Sequence, residues 1–419
     1  MIKTKPTTVA IIGGGITSAM LALSLVEDGY KVKVVEKSNL GNGASSRSAA
    51  AIRAQFTNET TVRGMVWAKK YFKEFSKRYR CEEVFRPNGY LFLYNQRNDF
   101  AVAKEQVIDQ QKWGLDEVTT LSKDDISARF PYVNVEQVVG ATWCPTDGFL
   151  QPSILLSRAF EEVKHLGGEI LQKAEVTSVN RRGSSISSLA TTKGKVTADI
   201  YVNATGIWSP RFAQTVGCRT MDISLNKVFL YLLDTSESVH EKRYTPKEVA
   251  TRPMIVSPAG AYCRPDWTPN RLMMAALSEC PVLHNFVDEE QDVIPPQYTF
   301  STAVGYGLNP TGYGVRVWQE MSQYLPDIGG MKAAGQSSGL YDNTPDHTPF
   351  IDYDLDISNL IHAVGFSGHG MMHSPFTAAV VKHLINQGTR SWTMELNGQV
   401  LDISAFSIHR EYKPEGKVL

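Results

Sequence analysis

The chain opens on a short, unbroken apolar run, Thr8-Val9-Ala10-Ile11-Ile12, the pattern of a strand buried on both faces of a parallel sheet. Gly13-Gly14-Gly15 interrupts it. From Ile16 to Asp28 the apolar positions Ile16, Met20, Leu21, Leu23 and Leu25 predict a helix, with Gly29 as its stop. Val32, Val34 and Val35 predict a second strand over Lys31 to Glu36. Strand, turn, helix and strand in such quick succession form the βαβ unit of a doubly wound sheet. Asn58 is the expected N-cap of a helix running to about Tyr79, with Val62, Met65, Val66, Phe72 and Phe75 as its core stripe. Strands are expected over Gly89 to Tyr94 and Gln137 to Trp143, flanking a helix around 99–113. Pro152 opens a helix to about Leu166. Gly168 to Val179 reads as one strand with a turn at Arg181-Arg182-Gly183, and Asp199 to Ala204 as another. Between about 221 and 280 the runs become alternating, β-branched and aromatic, broken by Pro and Gly, which predicts a mixed or antiparallel sheet. Buried-strand patterning returns at Leu360 to Val364, followed by a glycine-rich turn and a helix from about Ser374 to Asn386.

At 419 residues the chain is too long for one ordinary core, so two or three domains are expected. The expected architecture is an α/β Rossmann-like domain built from 1–85, 145–220 and 326–419, with a second, mixed-sheet substrate domain from 86–144 and 221–325. Lys plus Arg and Asp plus Glu are both 43, which leaves no basic footprint for nucleic acid. The five cysteines are scattered and odd in number, without a CxxC, which argues against a disulfide framework and against structural zinc. No metal is expected. No room for a signal peptide precedes Thr8, and no run approaches the ~18 apolar residues of a membrane span, so a cytoplasmic protein without a transmembrane segment is expected.

The first motif with chemistry is Gly13-x-Gly15-x-x-Ser18, with Glu36 twenty-one residues beyond Gly15. The first glycine permits a tight turn, and the second lets a pyrophosphate approach the backbone. Amides at the helix start then face the anion, and Glu36 is placed for the ribose hydroxyls. An acid at this position favours FAD or NAD over NADP. Ser18 replaces the third glycine and is small enough for close helix–strand packing. The bland reading is an α/β turn without a ligand.

Three further segments narrow the choice: Asn39 to Ser48, a small-residue loop; Tyr201-Val202-Asn203-Ala204-Thr205-Gly206-Ile207-Trp208-Ser209; and Gly365-Phe366-Ser367-Gly368-His369-Gly370. Together they resemble the FAD-dependent amine and amino-acid oxidoreductases of the D-amino-acid oxidase, sarcosine oxidase and proline dehydrogenase superfamily. Ser338-Gly339-Leu340-Tyr341 and Thr344-Pro345-Asp346-His347 add a likeness to the sarcosine oxidase β-subunit and archaeal proline dehydrogenase types. The resemblance covers nearly the whole chain. It implies a two-domain, glutathione-reductase-like flavoprotein, with FAD across the sheet, the late glycine-rich turn near the isoalloxazine ring, and the β-rich middle roofing a substrate cavity. The cofactor residues expected on this basis are Gly13, Gly15, Ile16, Thr17, Ser18, Glu36, Lys37, Ser45, Ser46, Arg47, Ser48, Ala50, Ala51, Val176, Ala204, Thr205, Gly206, Trp208, Gly339, Gly368, His369, Gly370, Met371 and Met372.

Arg53 is a fixed cation just beyond the small-residue loop, and its planar fork suits bidentate capture of a carboxylate. The resemblance implies that it anchors a substrate carboxylate; the bland reading is an ion-paired arginine. Tyr262 and Arg264 either line the cavity or pack the sheet. Gly365-Phe366-Ser367-Gly368-His369 narrowly misses a nucleophile elbow, since His369 stands where GxSxG needs glycine. His369 and His373 lack a third metal ligand, so His369 is expected beside the flavin or the cavity. Two positions depart from monomeric sarcosine oxidases. Gly339 stands where those enzymes carry a tethering cysteine, which points to non-covalent FAD, and Met372 replaces a carboxylate-binding lysine.

The expected activity is oxidation of the C–N bond of a glycine-, sarcosine- or proline-like amino acid to an imine that hydrolyses. The expected partners are that amine substrate and an electron acceptor, either a carrier or O2, in a possible homo- or hetero-oligomer. A dehydrogenase is favoured over an oxidase, because related oxidases carry a substrate-domain lysine and this chain has none between Lys247 and Lys332. The alternatives are a flavin-bearing subunit or non-catalytic scaffold, and an NAD-dependent dehydrogenase.

Overall fold

The computed structural model describes residues 7–236, 245–277, 280–283, 288–300 and 311–413. Segments 237–244, 278–279, 284–287 and 301–310 of the expected substrate domain therefore lie outside the described residues.

Six strands form one sheet in the order Phe350–Tyr353, Leu360–Val364, Ile200–Asn203, Thr8–Ile12, Lys31–Val35, Glu169–Leu171. All neighbours are parallel except Phe350–Tyr353, which runs antiparallel to Leu360–Val364. Val9 faces Val32 on one side and Ile200 on the other, so the opening run is the sheet's centre, as its unbroken apolarity predicts. Helix Ile16–Glu27 packs against helices Pro152–His165 and Gly370–Gln387, and only Ser24 and Glu27 escape full burial. A helix covered on all sides needs the nearly uniform apolarity seen here.

Three expectations need correction. The run Gly168 to Val179 is not one strand: Glu169–Leu171 edges the large sheet, whereas Val176–Arg182 pairs with Ser185–Thr191 in a separate hairpin. The break falls at Lys173, which adopts φ 55°. Its N–H donates to the Ser38 carbonyl at 3.0 Å, and that of Ala174 to the Glu36 carbonyl at 2.8 Å. Arg181 and Arg182 belong to the strand, and the turn itself is at Gly183 with φ 62°. The late helix begins at Gly370, not near Ser374, and continues over Pro375. The Ser374 hydroxyl donates to the Met371 carbonyl at 2.8 Å, satisfying the acceptor that Pro375 has no N–H to serve.

The second sheet runs Val282–Leu283, Ser224–Asp234, Arg271–Ala275, Tyr262–Pro265, Met254–Val256, Tyr90–Tyr94, Gly140–Cys144, Thr119–Leu121, with Lys332–Asn343 also paired to Ser224–Asp234. It is the mixed sheet expected for 221–280. Lys332–Asn343 lies beyond the boundary expected near 326 yet joins this sheet along its full length. Along Tyr90–Tyr94 the side chains alternate: Leu91 and Leu93 pack with Phe229, Tyr231 and Met274, whereas Tyr90, Phe92 and Tyr94 pack with Ala49, Leu230 and Tyr262. That second face looks toward the small-residue loop. Ala51–Ile52, Gly148–Leu150 and Phe85–Arg86 form a small sheet beside it.

Candidate functional site

A cleft with about 1490 Å³ of empty space, part of it open solvent, lies at the carboxyl ends of Thr8–Ile12, Lys31–Val35 and Ile200–Asn203, the usual ligand crevice of a doubly wound sheet. The glycine turn is closed against the neighbouring strands. Gly13 N–H donates to the Val35 carbonyl, and Ala204 N–H to the Ile12 carbonyl, both at 2.9 Å. Gly13 has φ 113°, and a Cβ there would stand 2.3 Å from the Ala204 carbonyl oxygen, so no other residue fits. A Cβ on Gly14 would meet the Glu36 side chain at 2.8 Å, so the turn and the acid are in close contact. One Glu36 oxygen accepts from Ser38 N–H at 2.7 Å, and the Ser45 hydroxyl accepts from Ile16 N–H at 3.0 Å. Amides at a helix start and a carboxylate beside them are the donor and acceptor set that a pyrophosphate and a ribose require.

Of the expected cofactor residues, Gly13, Gly15, Ile16, Thr17, Glu36, Lys37, Ser45, Arg47, Ser48, Val176, Ala204, Thr205, Gly206, Trp208, Gly339, Gly368, Gly370 and Met371 line this cleft. Ser18, Ser46, Ala50, Ala51, His369 and Met372 do not. Ser18 is fully buried in the helix. The 3-10 turn Ala44–Arg47 buries Ser45 and leaves Ser46 exposed, bonded to the Gly43 carbonyl. Ala50 and Ala51 leave the cleft to enter the small sheet. Sequence reasoning missed Gly14, Ser38, Arg211, Phe212, Thr215, Tyr341 and Asp342. The helical spacing of Arg211, Phe212 and Thr215, just after the Ala-Thr-Gly strand, was a usable signal.

A short acidic turn, Asp288–Asp292, is clasped to the rim. Asp288 accepts from the Lys37 ammonium, from Trp208 Nε1 at 2.8 Å and from Arg211 at 3.3 Å. Asp292 takes a bidentate bond from Arg47 at 2.7 and 2.9 Å. Partial burial would raise the Asp288 carboxyl, but the bonds from Lys37 and Trp208 outweigh it and hold it below the ordinary range.

Inward from the cleft stands a second group of side chains. Arg53 is 1% exposed; it donates to the Gln55 carbonyl, and its guanidinium lies 3.8 Å from the Phe56 ring centre. Tyr90 and Tyr262 are buried around the same region, and the half-buried Tyr341 stands between them and the cleft. Burial raises all three phenols, Tyr341 to about 12, while the Arg53 and Arg264 charges partly offset it at Tyr90. Arg264 is also buried, which lowers its pKa; it donates to the Ala49 carbonyl at 2.8 Å and to the Pro265 carbonyl. It therefore braces the loop that leads to Arg53. His369 caps the late helix and meets the Phe56 ring edge-on at 5.3 Å. His373, one turn on, is driven down to about 3 by burial, with the Arg53 charge adding to it, and is neutral at physiological pH. The nearby Asp147 is paired with Lys69 at 2.7 Å. At the cleft wall, Asp342 is raised to about 6 by burial and accepts from Gly365 N–H at 2.8 Å.

Among the described residues, Cys218, Asp354 and His362 are the one grouping with metal-ligand spacing. Its hydrogen bonds favour a proton over a cation. Asn203 Oδ1 accepts from Thr205, which turns its amide N–H toward His362 Nδ1 at 3.0 Å. His362 Nε2 then carries the proton and donates to Asp354 at 2.9 Å. A metal on Nε2 would force that proton onto Nδ1, against the Asn203 donor.

The sequence matches the family described as DAO, FAD dependent oxidoreductase, over residues 8–384. FAD-dependent oxidoreductase domain-containing protein 1 of Xenopus laevis is 24% identical, over 97% of this chain and 83% of its own length. Glycine oxidase of Bacillus subtilis (strain 168) is 22% identical, over 90% of this chain and 92% of its own. The crystal structure of L-proline dehydrogenase from P. horikoshii superposes with a TM-score of 0.79 at 24% identity, covering 97% of this chain and 98% of that one. With its glycine turn, its acid and a family match that spans most of its length, the chain belongs to the DAO family of FAD-dependent oxidoreductases.

Proposed function

We propose that this protein oxidises the C–N bond of a small amino acid or N-alkyl amino acid, glycine-, sarcosine- or proline-like, to an imine that water hydrolyses to a carbonyl compound and an amine. The observation that carries the reading is Arg53, a guanidinium buried among phenols and aromatic rings just inside the cofactor cleft. In such low-dielectric surroundings a planar cation is strongly complementary to a carboxylate. The likeness to glycine oxidase and to L-proline dehydrogenase, whose names specify such substrates, supports it. FAD belonging to the family removes the NAD reading.

FAD, when bound, accepts the hydride equivalent that leaves the substrate carbon. The protein's own part is position and electrostatics. The amides of Gly14, Gly15 and Thr17 and the Glu36 carboxylate hold the cofactor's pyrophosphate and ribose, and Thr205, Gly339 and Gly368 wall the rest of the cleft. Arg53 takes the substrate carboxylate, with Tyr262 and Tyr341 closing the chamber around it. Arg264 acts as a brace on Ala49 more than as a substrate contact. His373 stays neutral and adds no charge to the chamber. No general base is needed when the substrate amine binds neutral.

The same reading includes the two-domain, glutathione-reductase-like arrangement with a boundary near 221, Lys332–Asn343 belonging to the second sheet. The chain's free cysteines fit a reducing, cytoplasmic setting. A flavin-bearing subunit or scaffold without turnover is the alternative. The test is an anaerobic screen of amino acids and amines for loss of the oxidised flavin absorbance, repeated with Arg53→Ala. At least one α-amino or N-alkyl amino acid should bleach the wild type. Arg53→Ala should keep FAD but bind that acid about 30–1000-fold more weakly, the loss of a charge-assisted bidentate contact. An intact yellow protein that no amine bleaches would establish the scaffold.

A further inference from the structure

In the large sheet, Lys31–Val35 and Ile200–Asn203 flank Thr8–Ile12 on opposite sides and run parallel to it. The segments that leave their carboxyl ends therefore stand on opposite banks of the cofactor cleft, with the glycine turn between them. Lys37 comes from one bank, and Trp208 and Arg211 from the other. All three donate to the Asp288 carboxylate, Trp208 Nε1 at 2.8 Å and Arg211 at 3.3 Å. The Lys37 ammonium also lies 4.0 Å from the centre of the Trp208 ring. One carboxylate thus spans the cleft, although the turn that carries it belongs to neither bank.

The turn is fixed from behind as well. The Ser338 hydroxyl donates to the Gln291 carbonyl at 2.8 Å, and the Lys227 ammonium to the Val293 carbonyl. Ser338 and Lys227 lie on paired strands of the second sheet. At the other end of the turn, Asp292 takes the Arg47 fork, and Arg47 also donates to the Gly43 carbonyl at 3.1 Å. Lys37, Arg47, Trp208 and Arg211 all line the cleft, whereas Asp288 and Asp292 do not. The two acids therefore act on the cleft through these four side chains. A lone exposed ion pair contributes little, but a carboxylate with three donors beside a bidentate fork is a network that holds its members in one geometry.

We propose that the Asp288–Asp292 turn is a strap over the adenosine end of the FAD site, and that Asp288 and Asp292 are positioning residues that slow release of the cofactor. Glu36, the acceptor for the ribose hydroxyls, directly precedes Lys37, which sets that end of the site beside Asp288. Release of FAD then requires side chains from the two banks to part from Asp288. Because charges at the solvent rim hold the strap, it weakens as salt rises. The inference depends on FAD binding and not on which substrate the protein oxidises.

The test loads the full chain with FAD and follows exchange of the bound cofactor against excess radiolabelled FAD, in about 0.1 M and about 1 M NaCl. At the lower salt the double variant Asp288→Asn, Asp292→Asn should exchange about 10-fold faster than wild type, and at the higher salt the difference should shrink to about 3-fold or less. Asp288→Lys, which sets a like charge against Lys37 and Arg211, should exchange faster still than Asp288→Asn. Both carboxylates are at the surface, with 37% and 71% of the side chain exposed, so these variants leave the core untouched. Exchange within about 2-fold of wild type at the lower salt, or slower than wild type, would overturn the strap. A difference equally large at both salts would overturn it too, because the substitutions would then be acting through the fold of the turn and not through its charges. Neither outcome bears on the amino-acid reading, which the flavin-bleaching screen decides separately.

Discussion

Asp342 follows the Ser-Gly-Leu-Tyr run and looks in sequence like any strand carboxylate, yet it is buried at the cleft wall and bonded to Gly365 N–H. Its pKa of about 6, against an ordinary 3.8, has a definite consequence for stability. Between about pH 4 and pH 6 the folded chain keeps a proton that the unfolded chain gives up, so stability falls as pH rises through that window. The loss is on the order of 2–3 kcal/mol and is fully expressed above it. Asp342→Asn keeps an acceptor for Gly365 and removes the charge. It should match wild type at pH 4 and unfold at higher temperature than wild type at pH 7.5, as followed by thermal denaturation of the FAD-loaded proteins. A variant–wild-type difference that is the same at both pH values would refute the assignment. The sequence singled Arg53 out at this scale by its place after a small-residue loop, and Arg53→Ala tests the role assigned to it. Asp342 was not distinguishable in sequence, because its burial depends on residues far away in the chain.

Single elements read well where the pattern is local. Asn58 caps its helix by accepting from Thr61 N–H at 3.2 Å, as its side chain predicts. Local reading fails where one residue serves two elements. The sequence pattern put the last long helix from about Ser374, but the Ser374 hydroxyl takes over the orphaned Met371 carbonyl and lets the helix begin at Gly370. The same holds for Gly339 on strand Lys332–Asn343, which backs onto the turn Ala44–Arg47: a Cβ there would lie 2.9 Å from the Arg47 carbonyl oxygen. The strand therefore presents bare backbone to the cleft, with neither the sulfur nor the room for a tether. FAD is expected to be non-covalent, so acid precipitation of the yellow protein should leave the colour in the supernatant. A yellow pellet would locate a covalent link at another residue.

At the scale of the whole molecule, Arg53 lies against the face of the second sheet that carries Tyr90, Phe92 and Tyr262, and the cations available there bear on the choice of electron acceptor. Fast reaction of a reduced flavin with oxygen benefits from a positive charge close to the ring. Residues 248–331 contain no lysine, and Met372 removes the late one. Arg252 is paired with Asp327 at 2.6 Å and packs on Tyr132 at 4.2 Å, on the sheet face away from the cleft, while Arg264 is spent on backbone carbonyls. A carrier or partner flavoprotein is the expected acceptor. When the protein is reduced anaerobically by its substrate and mixed with air-saturated buffer, reoxidation should be slower than turnover with an artificial carrier. Reoxidation as fast as turnover, with stoichiometric hydrogen peroxide, would make it an oxidase.

The amino-acid sequence alone determined the βαβ unit, the glycine turn with its acid, and the resemblance that led to FAD. Each depends on periodicity or spacing within a few tens of residues, where side-chain pattern and backbone geometry are directly coupled. Which side chains face the cleft was decided only by tertiary packing. Ser45 and Ser46 are neighbours, yet one accepts from the Ile16 amide and the other is exposed, because the 3-10 turn that holds both points successive side chains in different directions. The packing around Arg53 combines the loop after Ala51, strands near 90 and 262, and a helix at 370. Its low dielectric and the neutral His373 exist only once those distant segments exclude water from one another.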